Sequence, residues 1–263
     1  MLTVDKVSKT FFPGTVNERK ALSGVELTLG EGDFVTVIGS NGAGKSTLLN
    51  AVSGRLAVDS GRIEIAGSDV NKLGEHKRAR YVGRVFQDPL AGTAPNLTIE
   101  ENLSLALRRG KRRGLGRSLN AKRRTKFREE LGSLELGLED RMTAKVGLLS
   151  GGQRQALSLL MAGFTAPKIM LLDEHTAALD PQRAELVTTL TEKIISQGGL
   201  TTLMVTHNME QAIRLGNRLV MMHEGRIVYT ADAEKKAKLT VRDLLQEFAN
   251  IKGATLSDKA FLG

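Results

Sequence analysis

The chain has 263 residues, a net charge of +9 and no cysteine. That length is enough for one large α/β domain or two small ones with a sizeable core. The lack of cysteine excludes a disulfide framework, an iron–sulfur cluster and a thiolate zinc site. No apolar run approaches the roughly 18 residues that span a bilayer, and Met1-Leu-Thr-Val-Asp5 lacks a secretory pattern, so the expectation is a soluble chain that meets a membrane only through partners.

Read from the N-terminus, strands and turns lead to the apolar run Phe34-Val-Thr-Val-Ile38. Directly after it comes Gly39-Ser40-Asn41-Gly42-Ala43-Gly44-Lys45-Ser46-Thr47, and a helix-like run to Val52 follows. This is the pattern G-x-x-x-x-G-K-[ST] between a strand and a helix. Its glycines let the backbone curl so that N–H groups point at phosphate oxygens, and the helix adds its positive end. Lys45 can reach the outer phosphates, and the Ser46 hydroxyl can bind Mg²⁺.

Residues 62–66 alternate as a half-buried strand does, and 82–86 form another candidate strand. From Pro95 to Val146 the spacing turns helical, with Ile99, Leu103 and Leu107 and then Phe127, Leu131 and Leu134. This predicts a helical insert over about 93–147. Between Arg108 and Arg128 stand eleven basic residues and no acidic one, so the rest of the chain is close to neutral. Such a run is a solvated face, or a contact for anionic lipid headgroups or nucleic acid. Only Phe127 interrupts it with an aromatic ring, so base stacking is not expected.

Lys168–Leu172 is apolar on both faces, the pattern of a central parallel strand, and Thr202–Thr206 is a second. Between them Asp180-Pro181 opens a helix, Asp as N-cap and Pro at the first position, with a core stripe expected at Leu186, Leu190 and Ile194. Residues 218–222 and 226–229 flank His-Glu-Gly and predict a hairpin. A tail over 231–263 carries Leu244, Leu245, Phe248 and Ile251 at helical spacing, which predicts a docking helix.

Two further clusters carry chemistry. Asp173 and Glu174 end the buried strand, at the ligand-binding edge of a parallel sheet. Their side chains must diverge, so one can face Mg²⁺ and the other a water, a division that suits phosphoryl transfer. In Leu149-Ser150-Gly151-Gly152-Gln153, Ser150 is a good N-cap, and the two glycines leave a helix start bare for an anion.

Taken together, these segments resemble the ATP-binding subunits of ABC transporters over about residues 1–230. In order they match the Walker A loop at 39–47, the Q-loop Val85-Phe-Gln87-Asp-Pro89, the signature Leu149–Gln153, Walker B at Ile169–Glu174, the D-loop Ala178-Leu179-Asp180 and the switch histidine His207. The resemblance implies an α/β fold: a P-loop NTPase core with a mixed sheet, an N-terminal antiparallel β subdomain and an inserted α-helical subdomain. It also implies roles. Phe11 or Phe12 would stack on adenine. Asp173 would hold Mg²⁺ with Ser46, and Gln87 would lie near the metal and the attacking water. Glu174 would polarise that water, and His207 would contact the γ-phosphate. Ser150, Gly151, Gly152, Gln153 and Asp180 would line nucleotide held by a second copy, giving two sites in a head-to-tail homodimer or pseudo-dimer. Separate transmembrane permease subunits, and through them a solute-binding protein, are the implied partners at the cytoplasmic face of the membrane. Import of an amino-acid-like, even aromatic, solute is the expectation; a soluble ATPase acting on nucleic acid or ribosomes is the alternative. One departure is visible: the family usually has Pro after the Walker B Glu, where this chain has His175.

Overall fold

The computed structural model describes residues 1–111 and 119–252. The middle of the basic run and the end of the tail lie outside the described residues. In chain order the elements are β1 (Leu2–Phe11), β2 (Arg19–Leu29), β3 (Phe34–Gly39), α1 (Lys45–Ser53), β4 (Ser60–Ile65), β5 (Ser68–Asp69), α2 (Glu75–Arg78), β6 (Val82–Val85), α3 (Ile99–Leu107) and α4 (Ala121–Gly132). They continue with α5 (Gly151–Gly163), β7 (Ile169–Asp173), α6 (Pro181–Gly198), β8 (Thr202–Val205), α7 (Met209–Arg214), β9 (Arg218–His223), β10 (Arg226–Ala231), α8 (Ala233–Lys236) and α9 (Val241–Lys252). No described helix is long and apolar enough to cross a membrane. The chain divides into two compact units, residues 1–75 with those from 201 onward, and residues 76–200.

The first unit is built on two sets of strands. An antiparallel sheet runs β2-β1-β4-β5, and the order β10-β9-β3-β8 forms the second set. There β3 pairs in parallel with both β8 and β9, while β10 returns antiparallel on β9. All six residues of β3 are buried, as its near-continuous apolar run demands. The hairpin predicted around His-Glu-Gly is present. His223 faces Arg226, and Glu224 and Gly225 both have positive φ, 45° and 75°, the pattern of a tight type I′ turn. The tail helix α9 buries Leu244 and Phe248 in a core with Ile38, Met209, Ala212, Leu219 and Met221, and Leu245 and Ile251 pack against it.

A lysine also fixes the tail. Lys236 is buried, and its Nζ donates to Gly216 O at 3.2 Å, Arg218 O at 3.4 Å, Thr36 Oγ1 at 3.3 Å and the Leu215 carbonyl. These carbonyls follow α7 and need a donor once buried. Lys236→Met keeps the stem and removes the donor, so denaturant unfolding should show a loss of about 3 kcal/mol. An unchanged midpoint would mean that the carbonyls find other partners.

The second unit holds β6 and β7, parallel with Val82 opposite Ile169 and Val85 opposite Leu172, together with the helices α2 to α6. The predicted insert over 93–147 lies within this unit, and Ile99, Leu103, Phe127, Leu131 and Leu134 are all buried. Thr98 and Glu101 form a reciprocal cap at the start of α3. The described part of the basic run is not all solvated. Arg109 donates to the Met161 and Ala162 carbonyls, and Arg124 holds Glu100 with two bonds of 2.7 and 3.0 Å.

On α6 the expected stripe is rotated. Leu190 is buried, but Leu186 is 39% exposed and Ile194 is half-buried; Val187, Thr188, Thr191 and Ile195 face inward instead. The threonines can do so because each hydroxyl donates to a carbonyl one turn back, Thr188 to Ala184 and Thr191 to Val187, both at 2.7 Å.

Candidate functional site

In the first unit the loop after β3 is shaped by glycines that no other residue could replace. Gly39 has φ 157° and Gly44 φ 101°. A Cβ on Gly39 would lie 2.3 Å from the Met222 carbonyl, and one on Gly44 would lie 2.4 Å from the Ala21 carbonyl. No side chain caps α1 and no acidic residue stands in its first turn, so the helix start suits an anion. Lys45 is buried, and its Nζ donates to Gly39 O at 2.6 Å and Ser40 O at 3.3 Å, which sets a positive charge inside the curl. Ser46, Asn41 and Gly42 are exposed, Ser40 and Thr47 half-buried, and Ala43 buried. Gly225 N donates to Ala43 O at 3.0 Å, tying the β9–β10 turn to the loop.

Two more predicted residues stand beside this loop. In the β3–β8 register Val37 faces Val205, so Gly39 and His207 each follow two residues on, at the same carboxyl edge, where His207 is exposed. Phe11 ends β1 half-buried opposite Arg19, and Arg19 Nη2 donates to Gly42 O at 3.1 Å. The rings of Phe11 and Phe12 lie 6.5 Å apart, and Phe12 is 67% exposed. Arg19 was not singled out from the sequence; it links the aromatic strand end to the phosphate loop.

The second unit gathers the other predicted residues. Asp173 ends β7, and its Oδ2 accepts from Arg84 Nη2 at 2.8 Å, with both side chains largely buried. The same guanidinium lies 4.7 Å from the ring centroid of Phe86, the residue before the exposed Gln87. Arg84 was missed in the sequence; its signal is an arginine within an otherwise apolar strand. Glu174 follows with φ 44°, a conformation that side chains disfavour. His175 is buried, its Nε2 2.9 Å from Thr191 Oγ1, and burial pushes its imidazole down to about 4, so the ring is neutral.

Ser150 caps α5 as predicted. Gln153 N donates to Ser150 Oγ at 3.3 Å, and Ser150 N donates to Gln153 Oε1 at 3.2 Å, which leaves the Ser150 hydroxyl proton to donate elsewhere. Gly151 and Gly152 leave the first turn bare: a Cβ would meet Leu179 at 3.4 Å and Arg183 at 3.3 Å, respectively. Gln155, two residues past the signature, donates from Nε2 to Phe86 O at 3.1 Å. Asp180 caps α6, accepting from Arg183 N at 3.1 Å, and also pairs with the Arg183 guanidinium at 3.3 Å.

Thus the phosphate loop, Phe11 and His207 share the first unit, and Gln87, Ser150–Gln153, Asp173, Glu174 and Asp180 share the second. Among the described residues no cluster of three or more His, Cys, Asp or Glu could hold a metal by itself. The hard oxygen donors Ser46 and Asp173 are of the kind that hold Mg²⁺ when phosphates complete its shell.

The sequence over residues 22–177 matches the family described as ABC transporter. The chain belongs to the ABC transporter family. It is 44% identical, over 94% of its own length and 98% of the other's, to a protein named Tyrosine transport ATP-binding protein from Clostridioides difficile. It is 37% identical to the Methionine import ATP-binding protein MetN of Rhizobium johnstonii over 79% of this chain and 56% of that protein. A dimeric ATP-binding cassette, MJ0796, in a post-hydrolysis state with ADP and Pi superposes with a TM-score of 0.75 at 31% identity, covering 89% of this chain and 99% of that one. The chain is therefore an ATP-binding subunit, an ATPase of the ABC type whose hydrolysis is coupled to transport. Its antiparallel sheet and mixed sheet match those cassettes.

Proposed function

We propose that this ABC ATPase powers import of a small amino-acid-like solute, an aromatic one foremost, through separate membrane-spanning subunits. The observation that carries this reading is the 44% identity, nearly end to end, with a tyrosine transport ATP-binding protein. The chain docks on its permease at the cytoplasmic face of the membrane, and a solute-binding protein delivers cargo to that permease. Two ATPase subunits work together, as the dimeric relative supports.

The residues divide the work by their chemistry. Phe11 offers a ring to adenine. The N–H groups of the 39–47 loop, the Lys45 ammonium and the α1 start bind the phosphates. Ser46 and Asp173 would hold Mg²⁺, with Gln87 beside them, and the ion when bound neutralises phosphate charge. Glu174 orients and polarises the attacking water, and His207 donates to the γ-phosphate. Ser150 to Gln153 and Asp180 face the nucleotide of the second subunit, where the bare start of α5 presents N–H groups to charge that develops in hydrolysis.

The test is transport. The chain would be purified with its co-purifying membrane subunits, reconstituted in vesicles with ATP on its own side, and supplied with labelled tyrosine, phenylalanine or methionine and the matching solute-binding protein. ATP-dependent accumulation, greatest for tyrosine, is expected. ATP-driven movement in the opposite direction, or none of any amino acid, would overturn the import reading.

A further inference from the structure

We propose that His175, clamped to Thr191, is a positioning residue for Glu174: one hydrogen bond from the strand end into α6 sets the turn from which the Glu174 carboxylate is aimed. This rests on the reading of Glu174 as the group that polarises water.

Four observations converge on this bond. First, Glu174 has φ 44°, a conformation that a residue with a side chain keeps only when its surroundings impose it. Second, the next side chain is buried and anchored: His175 is 1% exposed, with Nε2 2.9 Å from Thr191 Oγ1. Third, the direction of that bond is fixed. Thr191 donates its single proton to Val187 O at 2.7 Å, so its hydroxyl accepts from the imidazole and the proton sits on Nε2. Fourth, His175 Nδ1 is buried with no hydrogen-bond partner among the described residues. An imidazole with one nitrogen unmatched is an unfavourable way to fill space, and an aliphatic side chain would do that better. What the imidazole adds is direction.

The bond completes a frame around the segment. Ala177 N donates to Glu174 O at 3.0 Å, and Asp180 caps α6 through Arg183 N at 3.1 Å. The stretch 174–180 is therefore held at the Glu174 carbonyl, at the His175 ring and at the helix start. The His175 bond reaches from the neighbour of Glu174 into the interior of α6. Loss of this anchor frees the turn, and a shift of about 1 Å in a catalytic group costs up to a hundredfold in rate.

The test uses the full-length chain with Thr191→Val, which keeps shape and removes the acceptor. We expect kcat for ATP to fall at least about tenfold, while KM and the affinity for a fluorescent trinitrophenyl-ATP probe change little and the melting temperature falls by no more than a few degrees. Thr191→Ser should restore kcat. His175→Ala should lose as much as Thr191→Val, and the double variant no more than either, because one bond is removed in all three. A bond that only stabilises the fold would move the melting temperature and leave kcat per nucleotide-binding site intact. Normal turnover in Thr191→Val, or losses that multiply in the double variant, would overturn the proposal. Should Thr191→Val not fold, His175→Gln retains an N–H donor: turnover near that of the unmodified chain supports the bond, and a loss as deep as His175→Ala overturns it. The two failures are separable. Normal turnover in Glu174→Gln would overturn the role of Glu174 itself, and this proposal with it. An inactive Glu174→Gln beside a fully active Thr191→Val would overturn only the positioning.

Discussion

Glu174→Gln is expected to lower ATP turnover by about a thousandfold, within the range that a positioned base contributes, while ATP affinity stays within a few-fold. The substitution is isosteric, so the turn after β7 has no steric reason to move. His175 remains clamped to Thr191 at 2.9 Å, and Asp173 remains held by Arg84 at 2.8 Å. What disappears is the negative charge that orients and polarises water. The groups assigned to phosphate binding, Lys45 and the α1 start, stand in the other compact unit and keep their geometry. Bound ATP then persists, and paired subunits should accumulate in its presence, as gel filtration with and without ATP would show. Single-turnover measurements separate chemistry from product release. Turnover near that of the unmodified chain would remove Glu174 from the mechanism.

Gly44→Ala should abolish nucleotide binding, with affinity falling more than about a hundredfold, and should destabilise the fold by about 2–4 kcal/mol. Two effects add. The φ of 101° at this position is one that alanine rarely adopts. The added methyl would also sit 2.4 Å from the Ala21 carbonyl, with Leu22 at 3.2 Å and the Gly225 Cα at 3.3 Å. These neighbours are backbone of β2 and of the β9–β10 turn, or a buried side chain, and none can swing aside. The loop must therefore open at the point where α1 begins, and the N–H groups lose their convergence. Titration with trinitrophenyl-ATP and thermal unfolding read the two losses separately. Near-normal affinity would mean that the loop can bind phosphate without this turn.

The phosphate loop, the signature cap and the α6 start could be read from the sequence because each is local. Ser150 caps a helix that begins at the next residue, and Asp180-Pro181 does the same. The glycines of 39–47 announce a curl wherever they occur between a strand and a helix. Tertiary pairing was far less visible. Arg84 and Asp173 are 89 positions apart, and an arginine inside a strand does not name its partner. The α6 stripe was misplaced because threonine counts as polar in a periodicity argument, yet Thr188 and Thr191 satisfy their hydroxyls on their own helix and turn inward. His175 read only as a departure from the usual proline; its bond depends on a helix that returns to it sixteen residues later.

Phe248 and Leu244 rest in the same apolar cluster as Ile38, the residue that immediately precedes Gly39. The carboxyl-terminal helix is thus no detachable appendage. An engineer exchanging tails between related ATP-binding subunits would have to transplant the facing surface of α7 and β9 as well. A version trimmed after Ala231 would expose greasy surface on the reverse of the strand that feeds the nucleotide cradle.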